Sequence, residues 1–287
     1  MRLNPFDTSN INVRSSGGGG MGRAGGVGCG TLVIAVIAAL IFGVDPGQMI
    51  GAIDSAQQGA PSSSQQGGRS EEEICSATQY SQEACAALTS LNETWAPEFQ
   101  RAGIAFEQPF LDLYQGNGVR TEGCGSAPAA AGPFYCPADR GIYINTAFYD
   151  QLAQMAGTGG DFARLYVIAH EYGHHIQNLT GIAGQVRSVQ QSDPRRANEL
   201  QVRMELQADC YAGVWAGKNA NLIERGDMEE GLQAASSIGD DTLQRRSGQR
   251  INPEGFTHGT SAQRVEALRL GMTSANDSVC DRYFTER

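Results

Sequence analysis

Two of the four histidines in this chain lie four residues apart, in the run His170-Glu171-Tyr172-Gly173-His174. Residues i and i+4 of a helix project from the same face, so both imidazoles can bind a single cation. Glu171 is turned away from this pair by about 100° and cannot be a third ligand from there, but it can act as a general base on a water at the metal. Gly173 would leave the helix surface bare beside the metal, where a substrate backbone could approach. The pattern predicts a zinc hydrolase with His170 and His174 as ligands and Glu171 as base.

The segment around this motif has the pattern of a buried helix. Leu165, Ile168 and Ile176 give it an apolar face. His175 is expected to point away from the metal pair, either as a residue behind the ligands or at the surface. The alternative is that the histidine spacing is an accident of a buried helix. At ordinary residue frequencies the motif arises by chance in fewer than about one chain in a hundred of this length, so we favour the metal site.

The third ligand is sought in the predicted helix 194–217. Catalytic zinc usually has three protein ligands and keeps one position for water. Glu205 and Asp209 are spaced i, i+4 among apolar residues, and buried carboxylates need a charge partner such as a metal with its histidines. We predict that Glu205 is the third ligand and that Asp209 accepts the second ring N–H of a ligand histidine. Glu199 is a weaker candidate for the third ligand because Arg203 lies one helical turn after it. The alternative for Glu205 and Asp209 is that they lie on a solvent-exposed helix face near Arg203.

The remaining histidine, His258, lies in a loop before the predicted helix 260–271. A loop histidine can donate a hydrogen bond to the oxyanion that forms when water adds to a peptide carbonyl. A helix cap or a solvent-facing residue is an equally good interpretation, and the sequence does not separate the two.

The first seventy residues differ in character from the rest. Residues 24–44 carry no charge and reach the roughly 20 residues that a membrane-spanning helix needs. Three arginines precede this segment, so the positive-inside rule predicts that residues 1–23 form a basic, Gly-rich cytoplasmic tail and that the catalytic region lies outside the cytoplasm. Residues 45–70 are rich in Gly, Ser and Gln and predict a flexible linker. We therefore expect a single-pass membrane anchor, with a cleavable signal peptide as the alternative.

Composition indicates which cellular compartment and which classes of partner to expect. The net charge of −10 without a basic stripe argues against nucleic acid as a partner. The six cysteines after the hydrophobic segment include no C-x-x-C pair, which argues against a cysteine zinc site. Their even number fits disulfides in an oxidising compartment, with free thiols in a cytosolic protein as the alternative. Spacing does not fix the connectivity, and our working hypothesis pairs Cys75 with Cys85, Cys124 with Cys136, and Cys210 with Cys280.

Residues 71–287 are predicted to form one domain. Apolar periodicity predicts helices over 71–102, 147–156, 161–180, 194–217, 227–237 and 260–271, and strands over 109–114 and 141–145. The expected fold class is therefore α+β, mainly helical with a small sheet, preceded by one transmembrane helix.

Three blocks of the sequence resemble a known family. They are His170–His175, Glu205–Trp215 and Phe256–Arg264, and they occur in this order in the bacterial membrane-anchored proteins known as putative neutral zinc metallopeptidases. The resemblance implies a zincin-like fold of the gluzincin type with glutamate as third ligand, which agrees with Glu205. It also implies that the strand at residues 142–145 forms the edge that pairs with an extended peptide.

The expected function is that of a zinc-dependent endopeptidase acting on a peptide or protein substrate. One alternative is a zinc-binding but non-proteolytic envelope protein that binds a partner. Glu171 counts against it, because a purely structural zinc site needs no general base and usually has four protein ligands. A module that binds no metal is the third possibility.

Overall fold

The computed structural model describes residues 1, 3, 10–16, 69–157 and 159–285. The predicted transmembrane segment 24–44 and nearly all of the predicted linker 45–70 lie outside these residues. Within the ranges just given, no helix is both long and apolar enough to cross a bilayer.

Helices dominate the described chain, which confirms the α+β prediction. The strands are β1 (Asn12–Arg14), β2 (Phe110–Tyr114), β3 (Gly118–Arg120), β4 (Ser126–Pro128), β5 (Phe134–Cys136) and β6 (Gly141–Asn145). The helices are α1 (Glu71–Cys75), α2 (Gln79–Ala102), α3 (Phe148–Ala156), α4 (Asp161–Leu179), α5 (Ile182–Ser192), α6 (Ala197–Lys218), α7 (Asp227–Ser237), α8 (Asp240–Arg246) and α9 (Ser261–Ser274), followed by a 3₁₀ segment at Asp277–Tyr283.

The main sheet has the order β1-β2-β6-β5. Strands β1, β2 and β6 are parallel, and β5 runs antiparallel to β6. All residues of β2 and β6 are buried, as expected for strands covered on both faces. The prediction that residues 142–145 form a substrate-binding edge is wrong for Ile142 and Tyr143, which pair with β2 on one side and with β5 on the other. The pairing with β5 does not extend to Ile144 and Asn145. The outer strands of this sheet are β1 and β5.

Strand β1 belongs to the sheet, although residues 1–23 were predicted to form a cytoplasmic tail. Ile11 and Val13 are buried in the main hydrophobic core. The backbone N–H and hydroxyl of Ser16 donate to the carboxylate of Asp112 at 3.0 and 2.5 Å. A strand of three residues is too short to give a periodic signal, and a Gly/Ser tract follows it, so its pairing could not be predicted locally.

The predicted helix 71–102 is two helices separated at residues 76–78. The Thr78 side chain accepts the backbone N–H of Ser81 and begins α2. The Cys75–Cys85 disulfide joins the two helices across this break, and the other hypothesised disulfides, Cys124–Cys136 and Cys210–Cys280, are also confirmed. Helices α5 and α8 were not predicted. Helix α5 has one buried residue, Val186, and therefore little apolar pattern in its sequence.

Helix α6 lies against both α4 and α9, and small residues set the second of these contacts. A Cβ atom on Gly213 would lie 2.1 Å from the carbonyl oxygen of Leu268, and one on Gly271 would lie 2.0 Å from that of Cys210. Only glycine at these two positions lets the helix backbones approach so closely. The contact brings the first turn of α9 beside the middle of α6, where the predicted metal site lies.

Candidate metal centre

The three predicted metal ligands meet in one cluster. His170 and His174 project from α4 and Glu205 from α6, and one ligand atom from each lies within 4.8 Å of the others. The His170 Nε2 atom is 3.1 Å from one oxygen of Glu205, and the His174 Nε2 atom is 3.5 Å from the other. His170 and Glu205 are both buried, and a cation held between them would offset the desolvation of the carboxylate.

Gly173 allows the two helices to approach each other. A Cβ atom at this position would lie 2.8 Å from the Cα atom of Ala208 on α6. The residue is buried against a neighbouring helix, so the prediction that it leaves a bare surface for substrate is wrong. Its role is to let α4 and α6 pack closely enough for Glu205 to reach both histidines.

Glu171 lies on α4 beside the ligands but is not one of the three clustered residues. Its side chain is buried, and this burial raises the pKa of its carboxyl even though His170 and His174 act in the opposite direction. A raised pKa makes the carboxylate a stronger base, as proton abstraction from water requires.

Asp209 contacts His170, as predicted. Its Oδ1 atom accepts a hydrogen bond from His170 Nδ1 at 2.7 Å and another from the Tyr166 hydroxyl at 2.6 Å. The first bond fixes the His170 tautomer and leaves Nε2 for the metal. Burial alone would raise the pKa of Asp209, but Arg264 and His170 hold it at about 2.

Arg264 completes this group and was not predicted as a site residue. Its Nε and Nη2 atoms donate to the two oxygens of Asp209 at 2.8 and 2.9 Å. The guanidinium is almost fully buried, so the two side chains form a desolvated bidentate pair. The sequence shows an arginine on the same helix face as the apolar Leu268, one turn before it, which could have indicated that Arg264 is buried. This pattern does not indicate which residue Arg264 binds.

His258 is held by Asp240, the first residue of α8. The Asp240 carboxylate accepts the backbone N–H groups of Thr257, His258 and Gly259, and its Oδ1 atom lies 3.1 Å from His258 Nδ1. The histidine is buried, which excludes the solvent-facing interpretation. Burial favours the neutral form of Glu205, but the metal-site histidines and, after them, His258 hold the pKa of Glu205 well below its usual range. His258 therefore acts electrostatically on the cluster.

His175 is fully buried and does not lie at the surface. Its Nε2 atom donates to the carbonyl oxygen of Glu107 at 2.7 Å, so its Nδ1 atom accepts from the Tyr135 hydroxyl at 3.0 Å. The Asn178 amide also donates to the Tyr135 hydroxyl at 2.9 Å. Burial lowers the pKa of His175 to about 4. These bonds attach the outer strand β5 to the helix that carries the metal ligands.

A second group of acidic residues, Asp161, Asp227 and Glu230, also has oxygens close together. The α-ammonium group of Met1 lies among them, 2.9 Å from Asp161 and 2.7 Å from Asp227. A cation of the chain itself therefore offsets part of the negative charge of this group.

The chain is similar to several bacterial proteins. The chain is 41% identical over 288 residues, 96% of each chain, to the uncharacterized protein YpfJ of Escherichia coli K12. It is 36% identical over 261 residues, 85% of each chain, to the uncharacterized proteins Mb2605 of Mycobacterium bovis and Rv2575 of Mycobacterium tuberculosis. No solved structure matches the chain. The model of the family described as "Putative neutral zinc metallopeptidase" matches residues 5–283, and the chain belongs to that family.

Proposed function

We propose that this chain is a zinc-dependent endopeptidase that hydrolyses peptide bonds with water. The observation that carries the proposal is the cluster of His170, His174 and Glu205 with Glu171 buried beside it on the same helix. The family provides the reaction class, and the arrangement of these four side chains provides a role for each.

The donor set fits zinc. Two imidazole nitrogens and one carboxylate are the protein ligands typical of hydrolytic zinc sites, and three ligands leave one position for water. His170 Nδ1 is engaged by Asp209 and His174 Nδ1 by Gln177, so both Nε2 atoms are left for the metal. This combination of ligands also suits zinc better than magnesium or calcium, which are hard cations that prefer oxygen ligands.

When bound, zinc would polarise the scissile carbonyl and lower the pKa of the attacking water. Glu171 takes a proton from that water and passes it to the leaving amine. His258 is the candidate donor to the oxyanion, because Asp240 engages its Nδ1 atom and leaves Nε2 for substrate. Donation to an oxyanion requires a proton on the Nε2 atom of His258.

Strand β5 is the candidate binding edge for substrate in a zincin-like fold. It is an outer strand of the sheet, and it is attached to α4 through Tyr135 and His175. An extended peptide can add to such an edge by main-chain hydrogen bonds. The role first expected of residues 142–145 is therefore proposed for Phe134–Cys136.

The test compares zinc content with hydrolysis of casein and of a quenched peptide library by the full chain. Glu171→Gln should keep one zinc per chain and lose about 10²-fold or more in turnover, because only the base is removed. Glu205→Ala should lose zinc, and Glu199→Gln, at an exposed carboxylate on α6, is the matched control that should change neither quantity.

Unchanged hydrolysis by Glu171→Gln would refute the assigned mechanism. Stoichiometric zinc without hydrolysis by the unmodified chain would instead favour a non-proteolytic partner-binding protein.

A further inference from the structure

The two ligand histidines have different partners on their second ring nitrogens. His170 is engaged by an anion, Asp209, whereas the His174 Nδ1 atom lies 2.9 Å from the side-chain oxygen of Gln177, a neutral amide. Gln177 lies on α4 one turn after His174 and is fully buried. A neutral partner can orient an imidazole only if its own orientation is determined by something else.

That orientation is determined by a chain of hydrogen bonds that reaches the end of the domain. The Gln177 Nε2 atom donates to the carbonyl oxygen of Met204 at 2.8 Å and to the side-chain oxygen of Gln207 at 3.0 Å. The Gln207 Nε2 atom donates to the carbonyl oxygen of Cys280 at 3.2 Å. Gln207 is also fully buried, so neither amide can exchange these partners for bulk water.

The direction of this chain follows from its two ends. The backbone carbonyls of Cys280 and Met204 can only accept hydrogen bonds. The NH₂ group of Gln207 must therefore face Cys280, which turns its oxygen towards Gln177. The NH₂ group of Gln177 uses both its hydrogens on Gln207 and Met204, which turns its oxygen towards His174. A proton must then lie on His174 Nδ1, and in the neutral imidazole this leaves the lone pair on Nε2.

We propose that Gln177 and Gln207 are positioning residues that select the Nδ1–H tautomer of His174 and so present its Nε2 atom to zinc. This amide relay rests on the proposed function, since it concerns the same metal site. It orients one ligand without adding a negative charge, whereas Asp209 orients the other ligand as an anion.

The relay also connects the metal site to the Cys210–Cys280 disulfide. Cys280 supplies the last carbonyl acceptor and is covalently bonded to Cys210 on α6, one turn from Gln207. The disulfide thus holds the outer end of the relay against the helix that carries both Gln207 and the ligand Glu205. Nothing in the local sequence around His174 indicates this connection, because Gln207 and Cys280 are distant in the chain.

The test uses the full chain labelled with ¹⁵N in histidine, in the zinc-free form, and reads the tautomer of His174 from long-range ¹H–¹⁵N correlations. Four histidines make assignment by single substitution practical. Zinc affinity is measured separately by competition with a chromogenic chelator. The variants are Gln177→Met and Gln207→Met, and Gln244→Met is the control, since it removes a buried glutamine that bonds instead to the backbone N–H of Asn252.

At a pH high enough for His174 to be neutral, unmodified protein should show this histidine as the Nδ1–H tautomer. Gln177→Met should give a mixture of tautomers and bind zinc about 10- to 100-fold more weakly, the usual effect of losing a hydrogen-bond partner of a ligand histidine. Gln207→Met should shift both quantities in the same direction but less, because Met204 still holds Gln177. Gln244→Met should change neither quantity.

An Nε2–H tautomer in the unmodified zinc-free protein would overturn the proposal, as would zinc affinities within twofold of the unmodified protein for both relay variants. If Gln177→Met does not fold, Gln207→Met decides the question with the same two measurements. If the unmodified protein binds zinc but cleaves no peptide, the peptidase function is refuted. Loss of the tautomer preference in Gln177→Met would still support the relay in that case.

Discussion

The buried pair of Arg264 and Asp209 gives a prediction whose size can be worked out from the structure. Arg264→Met keeps most of the side-chain volume but removes the guanidinium that donates to both oxygens of Asp209. The aspartate is fully buried and cannot recover these bonds from bulk water. We expect the variant to be destabilised chiefly because it leaves this carboxylate without its cation.

Removing one partner of a buried ion pair costs about 3–5 kcal/mol. Asp209 keeps the hydrogen bonds from Tyr166 and His170, which places the expected cost at the lower end, about 3 kcal/mol. For a domain of this size each kcal/mol lowers the melting temperature by about 2–4 °C, so the expected decrease is about 6–12 °C.

The assay is urea unfolding of the zinc-free full chain, followed by calorimetry. Asp209→Asn and the double variant Arg264→Met with Asp209→Asn complete a mutant cycle. The double variant should lose less stability than the sum of the single variants, because the unpaired charge is absent. A cost below about 1 kcal/mol for Arg264→Met, or strictly additive losses, would show that Asp209 does not depend on this cation.

Three further predictions concern other parts of the site and fold. Burial alone would raise the pKa of Asp240, but its bonds to His258 and to the backbone of residues 257–259 lower it. The stability difference between unmodified protein and Asp240→Asn should therefore decrease as the pH falls below about 4, as urea titrations at several pH values would show. A difference that grows in acid would contradict the assigned bonds. Tyr135→Phe removes the hydroxyl that donates to His175 Nδ1, so it should lower the free energy of unfolding by about 1–2 kcal/mol. It should also raise KM for peptides while zinc affinity stays unchanged. Equal KM values would remove the argument for β5 as the binding edge. Ile11→Ala should lower the free energy of unfolding in urea by about 2 kcal/mol or more, because Ile11 is buried in the core. Asn12→Ala, at the neighbouring exposed position, should leave the free energy of unfolding nearly unchanged. Equal small effects would mean that β1 adds nothing to the core.

The metal ligands were predictable because their signal is local. His170, Glu171 and His174 lie within one turn or so of a single helix, and helical geometry alone relates them. Glu205 and Asp209 followed from a second local spacing on a buried helix. In each case the sequence separation is short enough for secondary structure to determine which side chains share a face.

The groups that support those ligands were not predictable in this way. Arg264 meets Asp209 across 55 residues and Gln207 meets Cys280 across 73, so both contacts depend on how α6 packs against later parts of the chain. The same limit applies to the sheet. The five-residue strands β2 and β6 could be recognised in sequence, but their order in the sheet could not, and for this reason β6 was expected at the edge that β5 occupies.

Strand β1 constrains the topology of the chain relative to a bilayer. Residues 12–14 and 110–114 are hydrogen-bonded neighbours in one sheet, so in a molecule folded this way they lie in the same compartment. A single crossing by residues 24–44 would put about 30 Å of hydrocarbon between them. A cytoplasmic N-terminus with an extracytoplasmic catalytic domain is therefore compatible only with a form in which β1 has left the sheet and Asp112 has lost its bonds to Ser16. If the N-terminus and the catalytic domain lie on opposite sides of the membrane, strand β1 cannot pair with β2.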